Sequence, residues 1–223
     1  MSSPKPLEYG KYYHIYNRGN NRENLFVEER NYRLFLQLYT RHIVPIANTF
    51  AYVLLRNHFH FLLKVKTVEE QLNATQTNKV LIPTQQTANQ QDYSLGNTQV
   101  PKLLNPSKQF SNLFNSYARK FNITYKRSGT LFQQSFGRIE ITSDRYFRRV
   151  VTYIHQNPLK HGFVQDFRDW PYSSFHTVLS MKQTLLCRDD VLSWFDNRAG
   201  FEFSHTQIQI DQEIAQFFPE DFD

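Results

Sequence analysis

The sequence predicts an α+β fold: an antiparallel sheet with helices packed on one face, plus a C-terminal helical extension. Three observations predict it. The run Leu55 to Val65 alternates with the period of a β-strand, so His58 and His60 leave one face while Phe59, Phe61, Leu63 and Val65 leave the other. Ala47 to Leu55 is a second β-branched and aromatic run, and Arg56-Asn57 is a compact turn that joins the two as a hairpin. Glu28 to Ile43 and Ser107 to Lys126 repeat apolar residues at helical spacing: Tyr32, Phe35, Leu36 and Tyr39 in the first, Phe110, Leu113, Phe114, Tyr117 and Phe121 in the second.

The remaining elements follow in order. Lys11 to Arg18 reads as the first strand, with Tyr12, His14 and Tyr16 on one face and Tyr13 and Ile15 on the other, and Asn17-Arg18-Gly19-Asn20-Asn21 breaks it. Pro45 ends the first helix. From Thr67 to Pro106 Gln, Asn and Thr dominate without periodicity, which predicts an extended insertion, a passive linker with a DNA-contacting lid as the alternative. Gly129 permits a turn into a strand over Thr130 to Ile141. Ser143 as N-cap, Asp144 at the positive end of the dipole and Pro158 as terminator bracket a helix between them. Further helices are expected over Ser174 to Met181 and Arg188 to Phe195, with a partly amphipathic stretch over Thr206 to Phe218. The organisation expected is a catalytic domain over 1–165, with the insertion at 67–106, and an accessory segment over 166–223.

Composition narrows the function classes. Lys and Arg number 26 against 20 acids, a net charge of +6, which favours a polyanionic partner. The 13 Tyr and 20 Phe supply the core and, at the surface, stacking platforms for unpaired bases. A lone cysteine, Cys187, excludes an intrachain disulfide and a Cys-based zinc site. Residues 1–10 lack a signal pattern and no apolar run approaches a membrane span, so a cytoplasmic protein without a membrane partner is expected.

Two constellations carry chemistry. His58 and His60 on one strand face are half of a metal site, because each neutral imidazole offers a lone pair and the strand fixes their separation. Alone, such a pair reads better as two incidental histidines. Downstream, Phe147, Val150, Val151 and Ile154 form the core stripe of the Ser143–Pro158 helix, and Tyr153 and Asn157, one turn apart, flank it. Singly, they read as a core-edge phenol and a capping amide. Together with the imidazoles, they suit phosphodiester chemistry. A tyrosine with a pKa near ~10 is a poor nucleophile until a cation assists it, and a metal on His58, His60 and the side-chain oxygen of Asn157 would be that cation. Imidazole leans to zinc and the oxygen to harder ions, so the donor set leaves the metal open. Tyr117 is the alternative nucleophile, on a helix near Arg119 and Lys120 but within an apolar stripe.

These residues resemble the single-tyrosine HUH transposases of bacterial insertion sequences, in particular the REP-associated tyrosine transposases. The matching blocks are Leu55-x-Asn57-His58-Phe59-His60-Phe61-Leu62-Leu63, Arg127-Ser128-Gly129-Thr130-Leu131-Phe132-Gln133, Tyr153-Ile154-x-x-Asn157-Pro158-Leu159-Lys160-His161-Gly162-Phe163-Val164 and Trp170-Pro171-Tyr172-Ser173-Ser174. The fold expected is ferredoxin/RRM-like. The resemblance implies that His58 and His60 are metal ligands, that Tyr153 is the nucleophile and that Asn157 stands where the family places its third, polar ligand. It further implies cleavage and rejoining of single-stranded DNA through a covalent 5′-phosphotyrosine with Mg²⁺ or Mn²⁺, on a hairpin-forming substrate, by a monomer or homodimer. Candidate DNA contacts are Arg18, Arg127, Arg138, Arg149 and Lys160. Ser135 is a departure, since many relatives carry Arg in that segment, and Arg138 is the candidate to replace it.

Two rivals stand beside this reading. One is a domesticated, non-cleaving protein that binds single-stranded DNA or RNA hairpins. The other is a metal-dependent hydrolase in which water attacks and no protein–DNA adduct forms.

Overall fold

The computed structural model describes residues 5–73 and 103–207. Four strands, β1 (Tyr12–Arg18), β2 (Ala47–Leu54), β3 (His58–Val65) and β4 (Gly137–Ile141), form one sheet in the order β2-β3-β1-β4, and every neighbouring pair is antiparallel. Helix α1 (Glu29–His42) links β1 to β2, and helix α2 (Pro106–Thr124) lies between β3 and β4. The βαββαβ order with β1 and β3 at the centre is the ferredoxin-like arrangement.

The register explains why this sheet forms. β3 pairs with β2 through the Leu55–His58 hairpin, in which Leu55 N–H donates to the His58 carbonyl at 2.9 Å. Phe59, Phe61 and Leu63 of β3 and Tyr13 and Ile15 of β1 then share one face, where they meet Phe35 and Tyr39 of α1 and Phe110, Leu113 and Tyr117 of α2 in one core cluster. Phe35, Phe59, Phe61 and Phe110 are no more than 1% exposed, and burying each such ring stabilises the fold by roughly 1.5–3 kcal/mol. α1 starts with a reciprocal cap between Glu28 and Asn31, and α2 with the Asn105 side chain accepting from Lys108 N–H, Pro106 following it.

The opposite face is covered as well. Helix α3 (Asp144–Lys160) packs Val150, Val151 and Ile154 into a second cluster with Ala51, Val53 and Leu62 of the sheet, and the short helices α4 (Phe175–Leu179), α5 (Arg188–Trp194) and α6 (Arg198–Thr206) extend that cluster through Phe175, Val178, Val191 and Phe201. The two helices of the βαββαβ unit thus lie on one face as expected, while the imidazole-bearing face lies beneath α3. That face is buried.

Several expected boundaries move. α3 runs through Pro158 to Lys160, because a proline in the last turn removes only one amide donor, while the N–H groups of His161, Gly162 and Phe163 still close onto Asn157, Leu159 and Pro158. The strand expected over Thr130 to Ile141 is regular only from Gly137; before it, Leu131 and Phe132 turn into the first core cluster, with a single bridge from Phe132 to Gly19. Gly137 is needed there, since a Cβ would stand 2.1 Å from the Tyr16 ring. The helix expected over Ser174 to Met181 shortens to α4, and α6 is an addition that its weak apolar pattern did not signal. The insertion's residues 74–102, like most of the stretch over Thr206 to Phe218, lie outside the described residues.

Candidate metal and tyrosine site

Strand alternation brings His58 and His60 to one face of β3, and helical spacing points Tyr153 and Asn157 of α3 at that face. His58 Nε2 lies 3.2 Å from Asn157 Oδ1. The His60 and Tyr153 ring centroids are 5.6 Å apart in an edge-on arrangement, and the two imidazoles stand at 5.2 Å. His58, His60, Tyr153 and Asn157 are each at most 3% exposed. The four residues chosen from the sequence converge within one chain.

The hydrogen-bond chemistry of His58 bears on metal binding. Asn57 Oδ1, an acceptor only, stands 2.8 Å from Nδ1, so that nitrogen carries the ring proton. Burial, reinforced by the His161 and Arg18 charges and opposed by the Asn157 oxygen as an acceptor for the protonated ring, pushes the His58 pKa down to about 3 and keeps the ring neutral. Nε2 therefore presents a lone pair to the Asn157 side-chain amide, which can answer it with its Nδ2–H as a donor or stand beside it with Oδ1 as a second ligand of a cation; with Oδ1 turned to His58, the buried Nδ2 has no hydrogen-bond partner. With Oδ1 turned to His58, the nitrogen and the oxygen stand 3.2 Å apart, a spacing that two ligands of one cation could take. His60 is held neutral by burial, with His14, His58, His161 and Arg18 acting in the same direction. Among the described residues no three His, Cys, Asp or Glu side chains group as a metal shell.

Three side chains at the site were not singled out from the sequence. His14 Nε2 lies 3.0 Å from His60 Nδ1, and its burial pushes its pKa down to about 3. With the proton on His60 Nδ1, that ring donates to His14 Nε2 and keeps a lone pair on its own Nε2; with the proton on His14 Nε2, the bond runs the other way. Tyr16 stacks on His60 at 6.0 Å, and the His161 ring stands 4.6 Å from His58. The signal for His14 and Tyr16 lay in the alternation of β1, which puts both on one face; pairing with β3 sets Tyr16 opposite His60 and His14 opposite Leu62.

No family model matches the chain. It is 39% identical over 71 residues to a putative REP-associated tyrosine transposase of Haemophilus influenzae, a match covering 30% of this chain and 40% of the relative. It is 41% identical over 46 residues to a REP-associated tyrosine transposase of Escherichia coli K12, covering 21% of this chain and 28% of the relative. The matches thus span less than half the length of these curated relatives. A solved structure of a REP-associated tyrosine transposase bound to a REP hairpin superposes with a TM-score of 0.54 at 17% identity, covering 81% of this chain and 87% of the other, which establishes likeness of fold. The chain is REP-associated tyrosine transposase-like.

In this transposase-like chain the other candidates separate. Tyr117 lies on the far face of the sheet, wholly buried, and its hydroxyl donates to the Leu25 carbonyl at 2.6 Å; burial raises its pKa. It is a core residue. Arg18 pairs in register with His58, and Lys160 places its ammonium 4.6 Å over the Tyr153 ring, so both stand at the site. Arg127 is occupied in holding its own loop: it pairs with Glu23 at 2.5 Å and donates to the Thr130 carbonyl at 2.9 Å. Arg138 stacks on Phe136 at 3.8 Å, donates to the Lys5 carbonyl, and lines with Ser135 and Asn17 a cleft of about 540 Å³. Arg149 is half-buried on α3. No helix among the described residues is long and apolar enough to cross a membrane.

Proposed function

We propose that the protein is a DNA transposase that nicks and joins single-stranded DNA through Tyr153. The observation that carries the reading is the approach of Tyr153 and Asn157, on α3, to His60 and His58, on β3, within one chain. His58, His60 and the Asn157 oxygen would hold a divalent cation, Mg²⁺ or Mn²⁺. When bound, that ion supplies neutralisation of phosphate charge and polarisation of a phosphoryl oxygen.

The chain's own residues do the rest. The Tyr153 oxygen attacks phosphorus in line as its proton leaves to solvent; the bond from phosphorus to the leaving 3′-oxygen breaks, and that oxygen takes up a proton as a free 3′-hydroxyl. The 5′-phosphotyrosine retains the bond energy, so a second strand's 3′-hydroxyl reverses the step without nucleotide hydrolysis. Arg18 and Lys160 flank the site with positive charge suited to the phosphates on either side. The relative of known structure is bound to a REP hairpin, which supports a hairpin-forming DNA as the partner here.

The burial of Tyr153, only 2% exposed, favours the rival reading of a hairpin-binding protein that does not cut. One experiment separates them. Labelled single-stranded hairpins are incubated with the protein and Mn²⁺, then denatured. The transposase reading expects a denaturation-resistant protein–DNA adduct that Tyr153→Phe abolishes with DNA affinity retained. Binding without any adduct supports the rival, and cleavage that persists in the Phe variant assigns the attack to water.

A further inference from the structure

A run of hydrogen bonds ties the tyrosine helix to the elements behind it. Tyr52 N–H on β2 donates to Ser174 Oγ at 2.8 Å. Ser174 Oγ lies 2.7 Å from His155 Nε2, His155 Nδ1 lies 2.8 Å from His205 Nε2, and His205 Nδ1 lies 2.7 Å from the Phe201 carbonyl oxygen. The two ends set the direction of every bond between them. A carbonyl only accepts, so His205 carries its proton on Nδ1 and accepts on Nε2; His155 must then donate from Nδ1 and accept on Nε2, which the Ser174 hydroxyl supplies. Each neutral imidazole has one permitted tautomer, and every group in the run is satisfied. Ser174 and His155 are wholly buried and His205 is 2% exposed. The next residue, Gln156, adds a second tie by donating its amide to the carbonyls of His205 and Gln207, both at 3.0 Å.

His155 and Gln156 lie between Tyr153 and Asn157 on α3 and reach Ser174 and the segment around His205. A roll or slide of α3 therefore breaks satisfied bonds inside a water-excluding layer, where the freed groups find no replacement partner. The stretch Trp170 to Ser174 has a place in the same device. Trp170 Nε1 donates to the Leu54 carbonyl, Leu54 N–H to the Tyr172 carbonyl and Ser174 N–H to the Tyr52 carbonyl, each at 2.9 Å, so this stretch is stitched to β2 and delivers Ser174 beneath His155.

We propose that Ser174, His155 and His205 are positioning residues, which set the height and rotation at which α3 presents the Tyr153 hydroxyl and the Asn157 amide to the imidazoles of β3. The proposal rests on the reading of Tyr153 as nucleophile. The C-terminal helices, on this view, are part of the catalytic geometry.

The test uses the full chain with 3-fluorotyrosine at position 153, as wild type, His205→Ala and the conservative His205→Gln. The ¹⁹F resonance of Tyr153 is recorded without DNA, and adduct formation on single-stranded hairpins is followed with Mn²⁺ at saturating and subsaturating DNA. His205→Ala is expected to shift or broaden the resonance and to lower kcat on the order of 10- to 100-fold with KM little changed, and His205→Gln, which keeps an amide donor and acceptor, to recover part of both. An unchanged resonance and kcat in a folded His205→Ala protein overturns the proposal. So does a loss of kcat with an unmoved resonance. Should His205→Ala fail to fold, His205→Gln against wild type decides on the same two readouts. If the wild type forms no adduct, the nucleophile reading fails while the fluorine comparison still decides whether the run positions α3.

Discussion

His58 Nε2 and Asn157 Oδ1, 99 residues apart in the chain, meet at 3.2 Å in a buried site. If both side chains ligate one cation, a prediction follows directly. Mn²⁺ is expected to raise the thermal midpoint of the wild-type protein, and Asn157→Ala to lose most of that stabilisation because the third ligand, the only oxygen of the set, is gone. Asn157→Asp, which supplies a charged oxygen in the same place, is expected to bind Mn²⁺ more tightly than wild type. Calorimetric titration checks both. Equal affinity in all three proteins would remove Asn157 from the ligand set.

The two candidate tyrosines are expected to respond in opposite ways. Tyr117→Phe leaves the buried Leu25 carbonyl without its 2.6 Å donor, so it is predicted to lower stability by about 1–3 kcal/mol while adduct formation survives. Tyr153→Phe is predicted to abolish the adduct at little cost in stability. Urea denaturation paired with the adduct assay reads both effects.

The arginines divide likewise. Arg127 holds the loop that follows α2 through Glu23 and backbone carbonyls, in a partly exposed setting, so Arg127→Ala is expected to cost about 1 kcal/mol or less of stability. Arg18→Ala, at the position opposite His58, is expected to weaken binding of single-stranded DNA and to flatten the salt dependence of that binding. Fluorescence anisotropy over a salt series measures the slope.

Acid is predicted to destabilise the fold through its buried histidines. Burial pushes His14 and His58 down to about 3 and His205 to about 4, and holds His60 and His155 well below the usual imidazole range. The unfolded chain takes up these protons near pH 6.5, whereas the folded chain does not until the pH reaches the depressed values. The associated stability is complete above about pH 6.5 and is lost as the pH falls toward 4 and then 3. Urea midpoints across that window check the sign. A stability that rises on acidification would contradict it.

Much of this was legible in the residues themselves. Period-two alternation in Leu55–Val65 assigned His58 and His60 to one face and Phe59 and Phe61 to the other, and the structure buries the phenylalanines against α1 and α2 as that pattern requires. Helical spacing likewise put Tyr153 and Asn157 on one side of α3, because both patterns are local geometry repeated along a backbone. The end of α3 was not legible, since whether a proline terminates a helix or only costs its last turn one bond depends on what the neighbouring carbonyls find.

Partnership across distance belonged to the tertiary structure alone. His14 becomes a neighbour of His60 only because β1 lies beside β3, and Tyr117 is disqualified only because α2 packs on the face away from the imidazoles. His155 and His205 stand 50 residues apart in the sequence; burial between α3 and α6 makes them one hydrogen-bonded unit. A side chain's periodicity records which way it points from its own backbone. What it meets there is decided by how separate elements stack, a property of the whole buried interior that no single stretch encodes.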